Sequence, residues 1–96
     1  MRYRVAVLQY EPRLLEPQAN LEKLLDMLRG LETDLVVLPE LALSGYVFAS
    51  REEVAKVSES IPDGACFQAL RDISMTRDFS LVYGFAEHVN GRFYNS

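Results

Sequence analysis

"DLVVLPELALSGY", residues 34–46, decides how the rest of the chain is read. Leu35 to Leu38 form an apolar run that stops at Pro39. The β-branched pair Val36–Val37 and the shortness of the run specify a strand rather than a helix. One carboxylate, Glu40, follows at once, then Leu41-Ala42-Leu43, then Ser44, Gly45 and Tyr46. An acid set between two apolar segments, at the end of what reads as a buried strand, needs a reason.

Upstream, Leu21, Leu24, Leu25, Leu28 and Leu31 recur at helical spacing, with Glu22, Lys23, Asp26 and Arg29 on the other side. Pro17 suits a first helical turn and Gly30 sits near the stop, so an amphipathic helix is expected over 17–29. Before it, "RYRVAVLQY" reads as a strand apolar on both faces, the pattern of a strand covered on two sides. "EPRLLEPQAN" is turn-like. Strand, helix, strand at this spacing is a βαβ unit with parallel strands.

Downstream, Ser50-Arg51-Glu52-Glu53 is a capping box that opens a short helix to about Ser58, with Val54 and Val57 inward. "IPDG" breaks the chain, and Asp63 is the expected N-cap of a third helix with the stripe Cys66, Ala69, Leu70, Ile73. "FSLVYGFAEHV", residues 79–89, reads as one strand. Asn90-Gly91 is a hairpin turn signal, since both central residues of a type I′ turn need positive φ. "RFYNS" then begins a fourth strand. The expectation is an α/β fold with a mixed sheet of about four strands and three helices. Because Ser96 falls just after a hairpin turn, the 96 residues are expected to be the first part of a larger domain, or to be completed by another chain.

Composition bounds the function. A net charge of -4 gives no basic footprint, so nucleic acid is not an expected partner. The apolar runs are far too short for a membrane span, and no membrane role is expected. The single cysteine excludes an internal disulfide framework and fits a reducing, cytoplasmic setting. Cys66 lies on an apolar helix stripe without a basic neighbour and reads as a core residue, not a nucleophile. His88, the lone histidine, reads as a solvated strand residue. No metal-ligand spacing and no phosphate-binding glycine loop is present, so neither a metal nor a bound nucleotide is expected.

Glu40 has two readings. It is a solvated or ion-paired loop carboxylate, or it is a site residue, because sites in open α/β sheets collect beyond the carboxyl ends of the strands. Pro39 restricts the exit from the strand. Leu38, Leu41 and Leu43 would strip water from the carboxylate and make it a better base. Tyr46 is either a core aromatic or a pocket wall.

Taken in order, these segments resemble the carbon–nitrogen hydrolases of the nitrilase superfamily. "RVAVLQYEP" is similar to the opening strand. "DLVVLPELALSGY" is similar to the segment that carries the catalytic glutamate. "IPDG" with its helix, "SLVYGFAE" and "GRFYNS" are similar to the helix, strand and Tyr-Asn-Ser hairpin that follow. The resemblance implies a four-layer αββα sandwich built by pairing two such units. It implies attack on a nitrile, amide or carbamoyl carbon by a Glu–Lys–Cys triad without a cofactor, on a small-molecule substrate. An ω-amidase- or carbamoylase-like amidohydrolase is expected rather than a true nitrilase, in an oligomer of like chains. Matched motif to motif, Glu40 takes the general-base role and Tyr46 a place at the substrate pocket. The family's lysine and nucleophilic cysteine lie beyond its Tyr-Asn-Ser hairpin. Cys66 comes too early to be that nucleophile, and Lys23 and Lys56 lie on helices before it. By itself this stretch is therefore expected to be inactive. The competing expectation is a non-catalytic α/β interaction module in which Glu40 is merely solvated or paired.

Overall fold

The computed structural model describes residues 1–96. Three short strands, β1 (Val5–Val7), β2 (Leu35–Val37) and β3 (Ser80–Val82), form a parallel sheet in the order β1-β2-β3. Val36 sits at its centre, paired with Ala6 on one side and Leu81 on the other. Helix α1 (Pro17–Arg29) carries the chain from β1 to β2. Helices α2 (Arg51–Val57) and α3 (Ala65–Arg77) lie between β2 and β3. Strands β4 (Ala86–Val89) and β5 (Arg92–Asn95) make an antiparallel hairpin.

The leucine stripe does what its spacing implies. Leu21, Leu24 and Leu28 are buried, Leu24 and Leu28 completely. They meet Cys66 and Leu70 of α3 over one face of the sheet, where Val36, Leu38 and Phe79 complete the core. The helix runs over the expected residues, with Pro17 in its first turn and Gly30 as C-cap. The turn at Asn90 and Gly91 has φ of 50° and 75°, as the hairpin signal requires. In α2 the Ser50 hydroxyl accepts from the Glu53 amide at 3.2 Å, while the Glu53 carboxylate accepts from the Ala49 amide at 2.7 Å.

The second face of the sheet is bare. Alternation along β1 turns Ala6 and Leu8 toward the core and Val5 and Val7 away from it. Tyr3, Val5, Val7 and Val82 are 62%, 56%, 70% and 55% exposed. The chain thus supplies one helix layer and one sheet layer, with an apolar sheet surface facing outward.

Three expectations change. The strand expected over residues 79–89 is two strands in two sheets, interrupted at Tyr83-Gly84-Phe85. There the chain leaves the parallel sheet and passes against the turn that follows β2. The parallel and antiparallel pairings are accordingly carried by separate sheets of three and two strands.

Asp63 does not cap α3: Gly64 is the N-cap, and it makes no side-chain bond. Glu59 caps the helix from outside it, its carboxylate accepting from the amides of Cys66 at 2.7 Å and Phe67 at 3.0 Å. A carboxylate on these unpaired amides also meets the positive end of the helix dipole. A side chain at position 64 would collide with it, since a Cβ there would lie 2.6 Å from Glu59 Cδ.

His88 is half-buried rather than solvated, its ring stacked on Phe93 with centroids 5.2 Å apart.

Candidate active site

Glu40 leaves the carboxyl end of β2, the central strand of the parallel sheet. Several backbone contacts fix that exit. The Leu38 amide donates to the Val82 carbonyl at 2.8 Å, and the Ala42 amide donates to the Gly84 carbonyl at 3.0 Å. The Gly84 amide donates to the Pro39 carbonyl at 3.4 Å. The chain departing from β3 therefore binds both sides of the Glu40 turn. The turn is strained at Leu41, whose φ is 46°. Such a conformation costs a branched residue about 1–3 kcal/mol and persists only where surrounding structure enforces it. Here the enforcement is visible. The Leu41 side chain is buried, and its carbonyl accepts from the amides of Ser44 at 3.2 Å and Gly45 at 3.1 Å.

This geometry separates the acid from its apolar neighbours. Leu38, Leu41 and Leu43 are all buried, while Glu40 is exposed and faces an open cleft. The expected stripping of water from Glu40 by these leucines is not found. The turn sends their side chains inward and the carboxylate outward.

The Glu40 carboxylate instead has one specific partner. Asn95, at the end of β5, donates from Nδ2 to Glu40 Oε1 at 2.5 Å. This contact joins residues 55 positions apart and ties the hairpin to the end of β2. The Tyr-Asn-Ser stretch gives Asn95 no role by itself. The available signal was an asparagine inside a strand, a residue type depleted there.

Glu40 shares the cleft with Tyr10, Arg13, Lys23 and Tyr46. Tyr46 is 65% exposed on the rim, which makes it a wall residue and not a core aromatic. The Tyr10 hydroxyl donates to the Ala42 carbonyl, and burial pushes its phenol up to about 12. Lys23 Nζ lies 5.8 Å from the centre of the Tyr10 ring. The facing wall is held by Asn20, which is 2% exposed. Its side chain pairs with both the amide and the carbonyl of Arg13 at 2.8 Å and donates to the Leu43 carbonyl at 2.7 Å. One buried amide thereby clamps the loop before α1 to the loop after β2.

Cys66 lies apart from this cleft, in the core under α3. Burial pushes its thiol up to about 12, with the Glu59 charge and a hydrogen bond to Glu59 adding to the shift. A thiol so protonated is no nucleophile at neutral pH, in line with the core role its stripe implies. Among the residues present, no cluster of three or more histidine, cysteine or acidic side chains could hold a metal.

A carboxylate thus stands at the end of the central strand of a parallel sheet. The pattern of the carbon–nitrogen hydrolase family matches residues 4–96. The chain belongs to that family. A nitrilase from Pyrococcus abyssi is 38% identical over 96 residues, which is 97% of this chain and 37% of that protein. An (R)-stereoselective amidase from a Pseudomonas species is 45% identical over 65 residues, covering 68% of this chain and 23% of its own length. Among solved structures, an N-terminal amidase bound to a Gln-Val peptide superposes with a TM-score of 0.84 at 24% identity, over 98% of this chain and 24% of its own. A carbon–nitrogen hydrolase superfamily protein from Xanthomonas campestris superposes with a TM-score of 0.83 at 23% identity, over 97% of this chain and 34% of its own. At those identities the superpositions establish the nitrilase-like α/β fold. The chain spans between 23% and 37% of the curated carbon–nitrogen hydrolase relatives named here.

Proposed function

We propose that this chain is the base-bearing portion of an enzyme that hydrolyses a non-peptide carbon–nitrogen bond, with Glu40 as its general base. The observation that carries the reading is the placement of Glu40. It stands at the carboxyl end of the central parallel strand, on a fixed turn, at the edge of the one cleft that collects Tyr10, Lys23 and Tyr46. Family membership over residues 4–96 supports the same chemistry.

In this reading residues outside these 96 supply a lysine and a cysteine, and the domain is completed by a second unit against the bare sheet face. The carboxylate withdraws the thiol proton as sulfur attacks the amide, carbamoyl or nitrile carbon. The carbon–sulfur bond forms, and negative charge moves to the substrate oxygen or nitrogen. The ammonium of the lysine and backbone amides stabilise that charge. For an amide, the carbon–nitrogen bond then breaks while the protonated Glu40 returns its proton to the leaving amine. For a nitrile, protonated Glu40 gives the proton to the nitrogen of the thioimidate, and a first water, deprotonated by Glu40, adds to its carbon so that ammonia leaves with that proton and a thioester remains. In either case water then attacks the thioester with Glu40 taking its proton, the acid departs, and the proton returns to sulfur to regenerate the thiol. Closure of the completed domain over the open cleft supplies the water exclusion that the leucines beside Glu40 do not. Tyr46, on the rim, contacts the substrate.

The alternative is a non-catalytic α/β module. The exposure of Glu40 and its pairing with a neutral amide are the observations in its favour. Glu40→Gln in the full-length protein separates the two. It keeps the shape and removes the base, and turnover of amide, carbamoyl and nitrile substrates should fall on the order of 10² or more. Turnover near that of the parent protein would assign Glu40 to structure and support the module.

A further inference from the structure

We infer that Asn95 is the positioning residue of the Glu40 base: its side-chain amide occupies Oε1 and leaves Oε2 as the oxygen that receives the thiol proton. The inference deepens the proposed function and rests on it.

Glu40 is exposed, and a glutamate side chain with three rotatable bonds samples many rotamers in water. General-base catalysis needs one of them, with an oxygen within hydrogen-bond reach of the proton to be moved. A misplacement of about 1 Å is enough to cost on the order of 10² in rate. None of the charged side chains lining the cleft pairs with Glu40. The ion pairs present are Arg13 with Glu16, Arg29 with Asp26 and Arg71 with Asp72. The one side-chain bond that Glu40 makes is with Asn95, at 2.5 Å.

The choice of partner has chemical content. A carboxylate has two oxygens able to accept, and Asn95 takes one with a neutral donor. An arginine would bind both oxygens in a fork and leave neither for the reaction. An amide holds the group at a single point, and it can neither give up its proton nor compete for the one being transferred.

Asn95 is itself well anchored. Its backbone lies in the β4–β5 ladder opposite Ala86, which is buried. The next residue closes the hairpin, the Ser96 amide donating to the Phe85 carbonyl at 3.0 Å and the Phe85 amide donating to the Ser96 carbonyl at 2.9 Å. The same stretch that breaks away from β3 at Gly84 therefore carries the residue that holds the base. Leaving the parallel sheet is what brings β5 back over the end of β2.

The test is a double-substitution cycle in the full-length protein, with kcat and KM measured separately. Asn95→Ala should lower kcat roughly 10-fold or more and leave KM within about 2-fold, since the contact is to the base and not to substrate. Asn95→Asp, which keeps the shape but replaces the donor with a like charge, should lower kcat further. In a Glu40→Gln background, Asn95→Ala should cost almost nothing more, because its effect runs through the carboxylate. The melting temperature of each variant accompanies the kinetics. If Asn95→Ala lowers kcat by the same factor in the parent protein as in the Glu40→Gln background, or lowers only the melting temperature, Asn95 is a structural tie and the inference is overturned. If Glu40→Gln itself leaves turnover intact, the proposed function fails first and takes this inference with it.

Discussion

Gly84 passes beneath Glu40 so closely that a Cβ on the glycine would lie 2.9 Å from Glu40 Cα and 3.0 Å from the Leu41 amide nitrogen. Both of those atoms are backbone, so neither can swing away. The bare α-carbon at position 84 is what lets the chain leaving β3 bind the turn after β2 on both sides. Gly84→Ala should push the Glu40 turn outward. We expect a stability loss of ~1–3 kcal/mol, typical of overpacking, and a fall in turnover on the order of 10² from misplacement of the base. Thermal unfolding and steady-state kinetics check the two effects. An alanine variant with parental turnover would show that the position of this turn does not matter.

Tyr83 and Cys66 give the fold an alkaline limit. Burial pushes the Tyr83 hydroxyl up to about 12, with the charges of Glu59 and Cys66 adding to it, and Cys66 is likewise raised to about 12. Their unperturbed values are 10.0 and 9.0. Above about pH 9 the unfolded chain releases these protons before the folded one does. The unfolded state then binds fewer protons, so stability falls as pH rises. The contribution is fully present below about pH 9 and is lost by about pH 12. The Tyr83 hydroxyl is buried without a hydrogen-bond partner. Tyr83→Phe should therefore leave neutral-pH stability unchanged or raise it, and make the alkaline decline shallower. Denaturant melts between about pH 7 and pH 11 measure both. A less stable Phe variant at neutral pH would mean that the hydroxyl has a partner in solution.

The bare sheet face should make the 96 residues self-associate. Tyr3, Val5, Val7 and Val82 form an exposed apolar surface of the kind that marks an interface. Val5→Thr combined with Val7→Thr keeps the β-branched shape and lowers the apolar character, and should shift the chain toward monomer in sedimentation velocity. A parent chain that is monomeric and unfolds cooperatively would contradict the proposal that a second unit covers this face.

How much of this was legible in the sequence depends on where each constraint lives. The leucines of α1, the capping box at Ser50 and the Asn90-Gly91 turn were legible because local spacing and backbone chemistry alone determine them. The end of β2 was legible because a short β-branched run stopped at a proline. The cap of α3 was not. Asp63 satisfies the local rule, yet Glu59 reaches the same amides from the preceding loop, and only tertiary structure puts it there. The break at Gly84 was hidden because the centre of the stretch, residues 81–86, is nearly all apolar; the glycine answers to the backbone of Glu40, far earlier in the chain. The place of Glu40 at the end of a strand was legible, and its surroundings were not. Apolar neighbours in sequence implied burial, and the left-handed turn at Leu41 sent them to the opposite side. Asn20, which clamps the loops at one wall of the cleft, and Asn95, which bonds to Glu40, were missed for one reason: their partners are 7 to 55 residues away.

The most direct test of Glu40 as base is to watch the thiol react. In the full-length protein, a single-turnover reaction with an amide substrate is quenched at intervals and the mass of the intact chain is recorded. With Glu40 present, a covalent acyl adduct on a cysteine other than Cys66 should form before product is released. In Glu40→Gln the adduct should form on the order of 10² more slowly or not at all. Adduct formation at the parental rate in the Gln variant would mean that another group removes the thiol proton, and would contradict the assignment of Glu40.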